Sequence, residues 1–209
     1  MIVRVMFFIL AALVSAAHAD TYPIDLDREC LGGAIEKASP ERAALACTTI
    51  LDSRSVHPEH VLDYVVARAG HYRDAGQFGK ALADLGGALA KRPDDARLYN
   101  DSCWTRATWG QELVEALIDC DTSLQFRPDN PDTLDSRALV FFRRGDYHDA
   151  IRDCDAVLAQ RPKFARSLYL HGLARLNARD ATGGDADIAA AKAIDPKIAD
   201  EYARYGVTP

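Results

Sequence analysis

Apolar positions recur with a helical period through PDTLDSRALVFFRRGDYHDAIRDCDAVLAQRP, residues 131–162. Leu134, Ala138 and Phe141 fall on one face of a first helix, and Ala150, Cys154 and Val157 on one face of a second. Asn130-Pro131 is a capping residue followed by a first-turn proline, which predicts where the first helix starts. Gly145 predicts its end, where a left-handed residue is needed, and Pro162 stops the second helix. The unit is thus a helical hairpin, which cannot bury its apolar faces alone and needs stacked neighbours.

Those neighbours are present. Prolines 58, 93, 128, 162 and 196 step along the chain at intervals of 35, 35, 34 and 34 residues. Four of them close similar phrases: ALAKRP at 88–93, SLQFRP at 123–128, VLAQRP at 157–162 and AKAIDP at 191–196. A fixed period of this size is the mark of a helical repeat array.

The units resemble the tetratricopeptide repeat. With Pro131 as position 1, the family's aromatic at 11 is Phe141, its glycine at 15 is Gly145 and its aromatic at 17 is Tyr147. Ala150 stands at 20 and Pro162 at 32. The unit from Leu62 matches through Tyr72, Gly76, Phe78, Ala81, Ala88 and Pro93. The units from Arg97 and Ala165 match less well: Trp104 stands at position 8, where a small residue is usual, and Gly184 where alanine is expected. The resemblance implies an all-α, right-handed superhelical solenoid of about four repeats, with a degenerate N-terminal helical hairpin at 20–61. A C-terminal capping helix closes the array of 62–209, and 20–209 forms one continuous domain.

In that register the cysteines acquire partners. In an antiparallel hairpin that turns near positions 15–16, residues whose positions sum to about 31 face each other. Cys103 and Cys120 occupy positions 7 and 24, and Cys30 and Cys47 take the same positions in a first unit starting near Ile24. Both pairs are 17 residues apart, as a staple across each hairpin requires. The competing reading is five reduced, buried cysteines acting as small apolar residues. Cys154 also stands at 24, but opposite Arg137. It is either a core thiol or a reactive one, and the second possibility gives the redox-responsive alternative for function.

The N-terminus MIVRVMFFILAALVSAAHA has a basic residue, an apolar run too short to span a bilayer and a small-x-small cleavage site. Residues 1–19 therefore read as a signal peptide for export, with the mature chain starting at Asp20 in the periplasm or outside the cell. Export makes disulfides possible. Loss of Arg4 takes the formal net charge of the whole chain, −6, to −7. That balance argues against a nucleic-acid partner, and no later apolar stretch is long enough for membrane insertion.

No catalytic motif, phosphate loop or dinucleotide fingerprint is present, so no enzyme activity and no cofactor are expected. His57-Pro-Glu-His60 lacks a third ligand and reads as a solvated loop rather than a metal site. His71, His148 and His171 form no constellation. The resemblance implies instead a concave groove lined by the first helix of each unit. Carried over, its positions hold Asp63, Val66, Arg73 and Asp74, then Asp101, Thr105 and Trp109. They continue with Asp135, Leu139, Phe142 and Arg143, then Arg166, Tyr169, Leu173 and Leu176. The apolar leucines have packing as an equal explanation, whereas Trp109 and Tyr169 are expected to face a partner. Aromatics mixed with both charge signs suit a protein or peptide of the bacterial cell envelope. The implied function is a non-enzymatic scaffold or adaptor.

Overall fold

The computed structural model describes residues 22–32, 38–53 and 56–209. The signal peptide expected at 1–19 lies outside the described residues. Among those residues there are eleven helices and no strand. They are α1 (Tyr22–Leu31), α2 (Pro40–Asp52), α3 (Val61–Asp74), α4 (Phe78–Leu89), α5 (Ala96–Trp109) and α6 (Leu113–Phe126). Then come α7 (Pro131–Arg144), α8 (Tyr147–Gln160), α9 (Ala165–Asn177), α10 (Ala181–Ile194) and α11 (Ile198–Arg204). No helix among the described residues is long and apolar enough to cross a membrane.

Local chemistry sets the boundaries. Asn130 Oδ1 accepts from the backbone N–H groups of Asp132 and Thr133, with Pro131 in the first turn behind it. Asp95, Ser39 and Asp180 cap α5, α2 and α10 in the same way. Gly145 ends α7 at φ 83°, and Gly110 ends α5 at φ 76°. The last unit has no glycine at the matching turn, and Arg179 takes the left-handed conformation there at φ 69°.

Consecutive helices pair as hairpins, and the second helix of each packs on the first helix of the next. The leading helices also touch along one side, α3 on α5, α5 on α7 and α7 on α9. The largest core runs from α5 through α11 and includes Trp104, Leu139, Val140, Tyr169, Leu173, Ile198 and Tyr202. The core thus belongs to the interfaces between units as much as to the units themselves.

Each hairpin carries a cross-brace near its middle. Cys30–Cys47 and Cys103–Cys120 are disulfide-bonded, with Cα separations of 4.9 and 5.4 Å, and all four residues are fully buried. The second and fourth hairpins use charge at nearly the same place. Arg68 donates to both carboxylate oxygens of Asp84 at 2.8 and 2.7 Å. Arg137 does the same to Asp153 at 2.7 and 2.9 Å. In the last unit His171 lies 2.9 Å from Asp187 and 3.2 Å from Asp155, close enough to pair but outside hydrogen-bond alignment. Arg68, Arg137 and His171 share repeat position 7 with the two N-terminal cysteines of the bridges.

Gly184 has a packing reason. A Cβ on it would meet the Gly172 carbonyl oxygen at 2.8 Å, and a Cβ on Gly172 would meet the Gly184 carbonyl at 2.7 Å. The last two repeat helices cross too closely for a side chain on either side.

Candidate functional site

The sequence placed a partner surface along α3, α5, α7 and α9. The structure puts much of it under the chain's own C-terminus. The final helix was expected to cover the last repeat's apolar face; α11 packs on α9 and α10, and Tyr205 just after it reaches further, to α5 and α7. Tyr202 is fully buried against Tyr169 of α9, ring centroids 5.0 Å apart, and donates to the Arg166 carbonyl at 3.1 Å. Tyr205 packs edge-on against Trp104 of α5 at 5.7 Å. The guanidinium of Arg143 on α7 donates to the Tyr205 carbonyl and, at 3.2 Å, to that of Thr108. A left-handed Gly206 then lets the Val207 N–H return to the Tyr202 carbonyl, and Val207 is buried.

This covering changes the standing of several expected contact residues. Tyr169 is 1% exposed and serves as core, because Tyr202 lies on it. Thr105 is buried and its hydroxyl turns back to the Asp101 carbonyl at 2.7 Å. Asp135 is buried; the Ser167 hydroxyl donates to it, and Arg166 Nε lies 3.4 Å from its other oxygen. Burial pushes the Asp135 carboxyl up, with Arg166 opposing. Arg166 itself rests over the Trp104 ring at 4.9 Å. Leu139 and Leu173 are fully buried, and Phe142 and Leu176 pack against the same core.

Arg143 was expected to be a solvated groove charge. It is half-buried among backbone carbonyls, and desolvation holds its guanidinium below the usual arginine range.

The N-terminal part of the concave side stays open. Asp63 is exposed, and Val66 packs at the edge of the Leu62–Leu98 cluster. A cleft of about 820 Å³ opens between the α1–α2 hairpin, the end of α3 and the outer side of α11. His71, Arg73, Phe78, Thr108, Glu201 and Tyr205 are among its lining residues. Arg73 is held by Asp74 through contacts of 3.1 and 2.9 Å. Phe78 stacks on Trp109 with centroids 5.6 Å apart, so Trp109 stands half-buried beside the cleft.

Asp101 sits half-buried on α5 between these regions. Burial pushes its carboxyl up to about 6 from an ordinary 3.8, with Arg73 and Arg97 opposing. The folded state therefore favours the protonated acid. The resulting stabilisation is complete below pH 3.8 and is lost as pH rises through about 6. Asp101→Asn should accordingly raise stability at pH 7.5 by roughly 1–3 kcal/mol, the lower end reflecting its solvated side. The gain should vanish at pH 4, and paired urea titrations at the two pH values check it.

Cys154 is fully buried, and burial pushes its thiol well above the ordinary range. That removes the low-pKa, exposed thiol on which the redox alternative depends. No group of His, Cys, Asp or Glu among the described residues can hold a metal ion. His57 and His60 are exposed beside Glu59.

The sequence reading missed Trp104, Thr108, Tyr202 and Tyr205 as parts of this surface. Trp104 gave a signal, since it departs from the small residue usual at position 8. Tyr202 and Tyr205 gave another, as aromatics three apart at the end of the chain's last helix.

Fold and braces together define a tetratricopeptide-type helical solenoid. Among solved structures, MamA superposes with a TM-score of 0.59 at 16% identity, over 90% of this chain and 95% of that one. A tetratricopeptide repeat protein from Parabacteroides merdae superposes with a TM-score of 0.60 at 18% identity, over 88% of this chain and 74% of its own. An RS-1 MamA double mutant gives a TM-score of 0.62 at 11% identity, with coverage of 85% and 96%. At these identities the likeness is one of fold. No family model and no curated protein sequence matches the chain.

Proposed function

We propose that this chain is a non-enzymatic scaffold of the bacterial cell envelope, exported by a leader removed after Ala19, which binds a protein or peptide on its concave side. The open cleft beside α3 carries the reading. It joins an aromatic platform, Phe78 on Trp109, to charged groups of both signs, Arg73, Asp74, Glu201 and Arg204. That combination suits side-chain recognition of a polypeptide. The two buried disulfides and the absence of a membrane-spanning helix among the described residues support an exported chain.

Cross-linking in the native envelope, followed by mass spectrometry, tests this reading. The captured chain should begin at Asp20. Replacing Phe78 and Trp109 together with alanine should weaken capture of the partner by about 2 kcal/mol, or roughly 30-fold. Unchanged capture by a folded double variant would refute the cleft, and an intact Met1 on the folded protein would refute export.

A further inference from the structure

The covered part of the concave side has an incomplete set of polar contacts. Asp135 is 1% exposed, and among the described residues its Oδ2 meets the Arg166 guanidinium at 3.4 Å without an aligned hydrogen bond. Among the described residues Arg143 Nε is buried without an acceptor, and the guanidinium meets carbonyl oxygens and no carboxylate. Each group is thus left with bonding capacity unused, which is a cost. Above them lies α11, the shortest of the helices at seven residues, tied to the array through only Asp195, Pro196 and Lys197. A segment that short does not hold a helix unaided, so its order comes from docking. The covered face and the open cleft also meet, since Thr108 and Tyr205 line the cleft while their carbonyls hold Arg143.

We infer that the face formed by Trp104, Asp135, Arg143, Arg166 and Tyr169 is a helix-docking site that α11 occupies as a resident, exchangeable ligand. The partner it fits is an amphipathic helical segment with two aromatic side chains three residues apart, as Tyr202 and Tyr205 are, and a carboxylate placed to reach Arg143. Such a segment keeps the ring contacts on Trp104 and Tyr169. It adds the anion that the resident segment does not bring to Arg143. A partner already seated in the open cleft abuts Tyr205, and from there it can replace α11 from its C-terminal end. The inference rests on the concave side being the binding face.

The test uses the full chain and a fluorescein-labelled synthetic peptide with the sequence of residues 195–209. Wild type should bind this probe weakly, because the tethered copy competes. Tyr205→Ala in the chain removes the ring on Trp104 without altering the face, and should tighten probe binding at least 10-fold. The same change in the probe should abolish binding. Native-state hydrogen exchange on the wild type provides a second measurement that needs no variant. Amides of 198–207 should exchange at least 100-fold faster than those of 167–176. The inference is overturned if a folded Tyr205→Ala chain binds the probe no better than wild type, or if both segments exchange only through global unfolding. Neither measurement involves an outside partner. Failure here is therefore separate from failure of the cleft, which would appear as unaltered capture by the Phe78 and Trp109 variant.

Discussion

Replacing Cys103 and Cys120 together with alanine is expected to lower stability by about 3 kcal/mol, the entropic value for a closed loop of this length. The bridge sits inside the largest core cluster, fully buried, and joins the two helices of the central unit. Its loss loosens α5 against α6, and α5 also supports α3, α4 and α7. The thermal midpoint should fall by roughly 6–12 °C for a chain of this size. The equivalent change at Cys30 and Cys47 opens a loop of the same length but at the end of the array. There the loss should stay local, because end units of a solenoid contact one neighbour only. Calorimetry with limited proteolysis separates the two cases. The central variant should show the lowered midpoint for the whole array, and the terminal variant should gain cleavage sites within 22–52 while the midpoint of the remainder holds. Equal effects from both pairs would show that the bridges act independently of their place in the stack.

The two tryptophans provide the second large contrast. Trp104→Ala should cost about 3–5 kcal/mol, the range for removing a buried aromatic. Trp104 is 8% exposed, with Tyr205 edge-on and the Arg166 guanidinium over its ring. Its removal leaves a void and takes away a docking contact of α11. Trp109→Ala should cost no more than about 1 kcal/mol, since Trp109 is half-buried and stacks on Phe78 at the edge of the open cleft. Chemical unfolding of the two variants measures the difference. Similar losses would mean that Trp109 is core and that the cleft lacks its aromatic platform. A small loss for Trp104 would mean that α11 is not held on the concave side.

These two residues also show where sequence reasoning reaches and where it stops. The hairpins were legible because their signals are local. Asn130-Pro131 and Gly145 act within a turn or two of themselves, and prolines at a fixed interval repeat the message. The cysteine register was legible because an antiparallel hairpin fixes which positions face each other. The same rule applied to Arg68 and Asp84, or to Arg137 and Asp153, would have exposed the ionic braces too. Tyr205 on Trp104 lies outside that reach. Periodicity shows that a helix has a face to bury, and gives no indication of which distant segment covers it. Arg143 misled for a related reason. An arginine at a groove position is ordinarily solvated, and nothing near it in the chain reveals that the Tyr205 carbonyl comes back to meet it.

Two fastening chemistries along one array also mean two separate ways of coming undone. A reductant acts on the hairpins held by Cys30–Cys47 and Cys103–Cys120 and leaves the Arg68–Asp84 and Arg137–Asp153 pairs of the second and fourth hairpins in place. Replacement of the charged side chains acts on the ionic braces and leaves the sulfur bridges intact. Because the disulfide-bonded hairpins also carry ion pairs across their helices, Glu29–Arg42 and Arg106–Asp119, a hairpin that loses its bridge keeps a second tie as well as a fastened neighbour. The same redundancy serves assembly. Before any oxidant has acted, the Arg68–Asp84 and Arg137–Asp153 pairs are available to align their helices as the units stack, and stacking brings the reduced thiols of the other hairpins together.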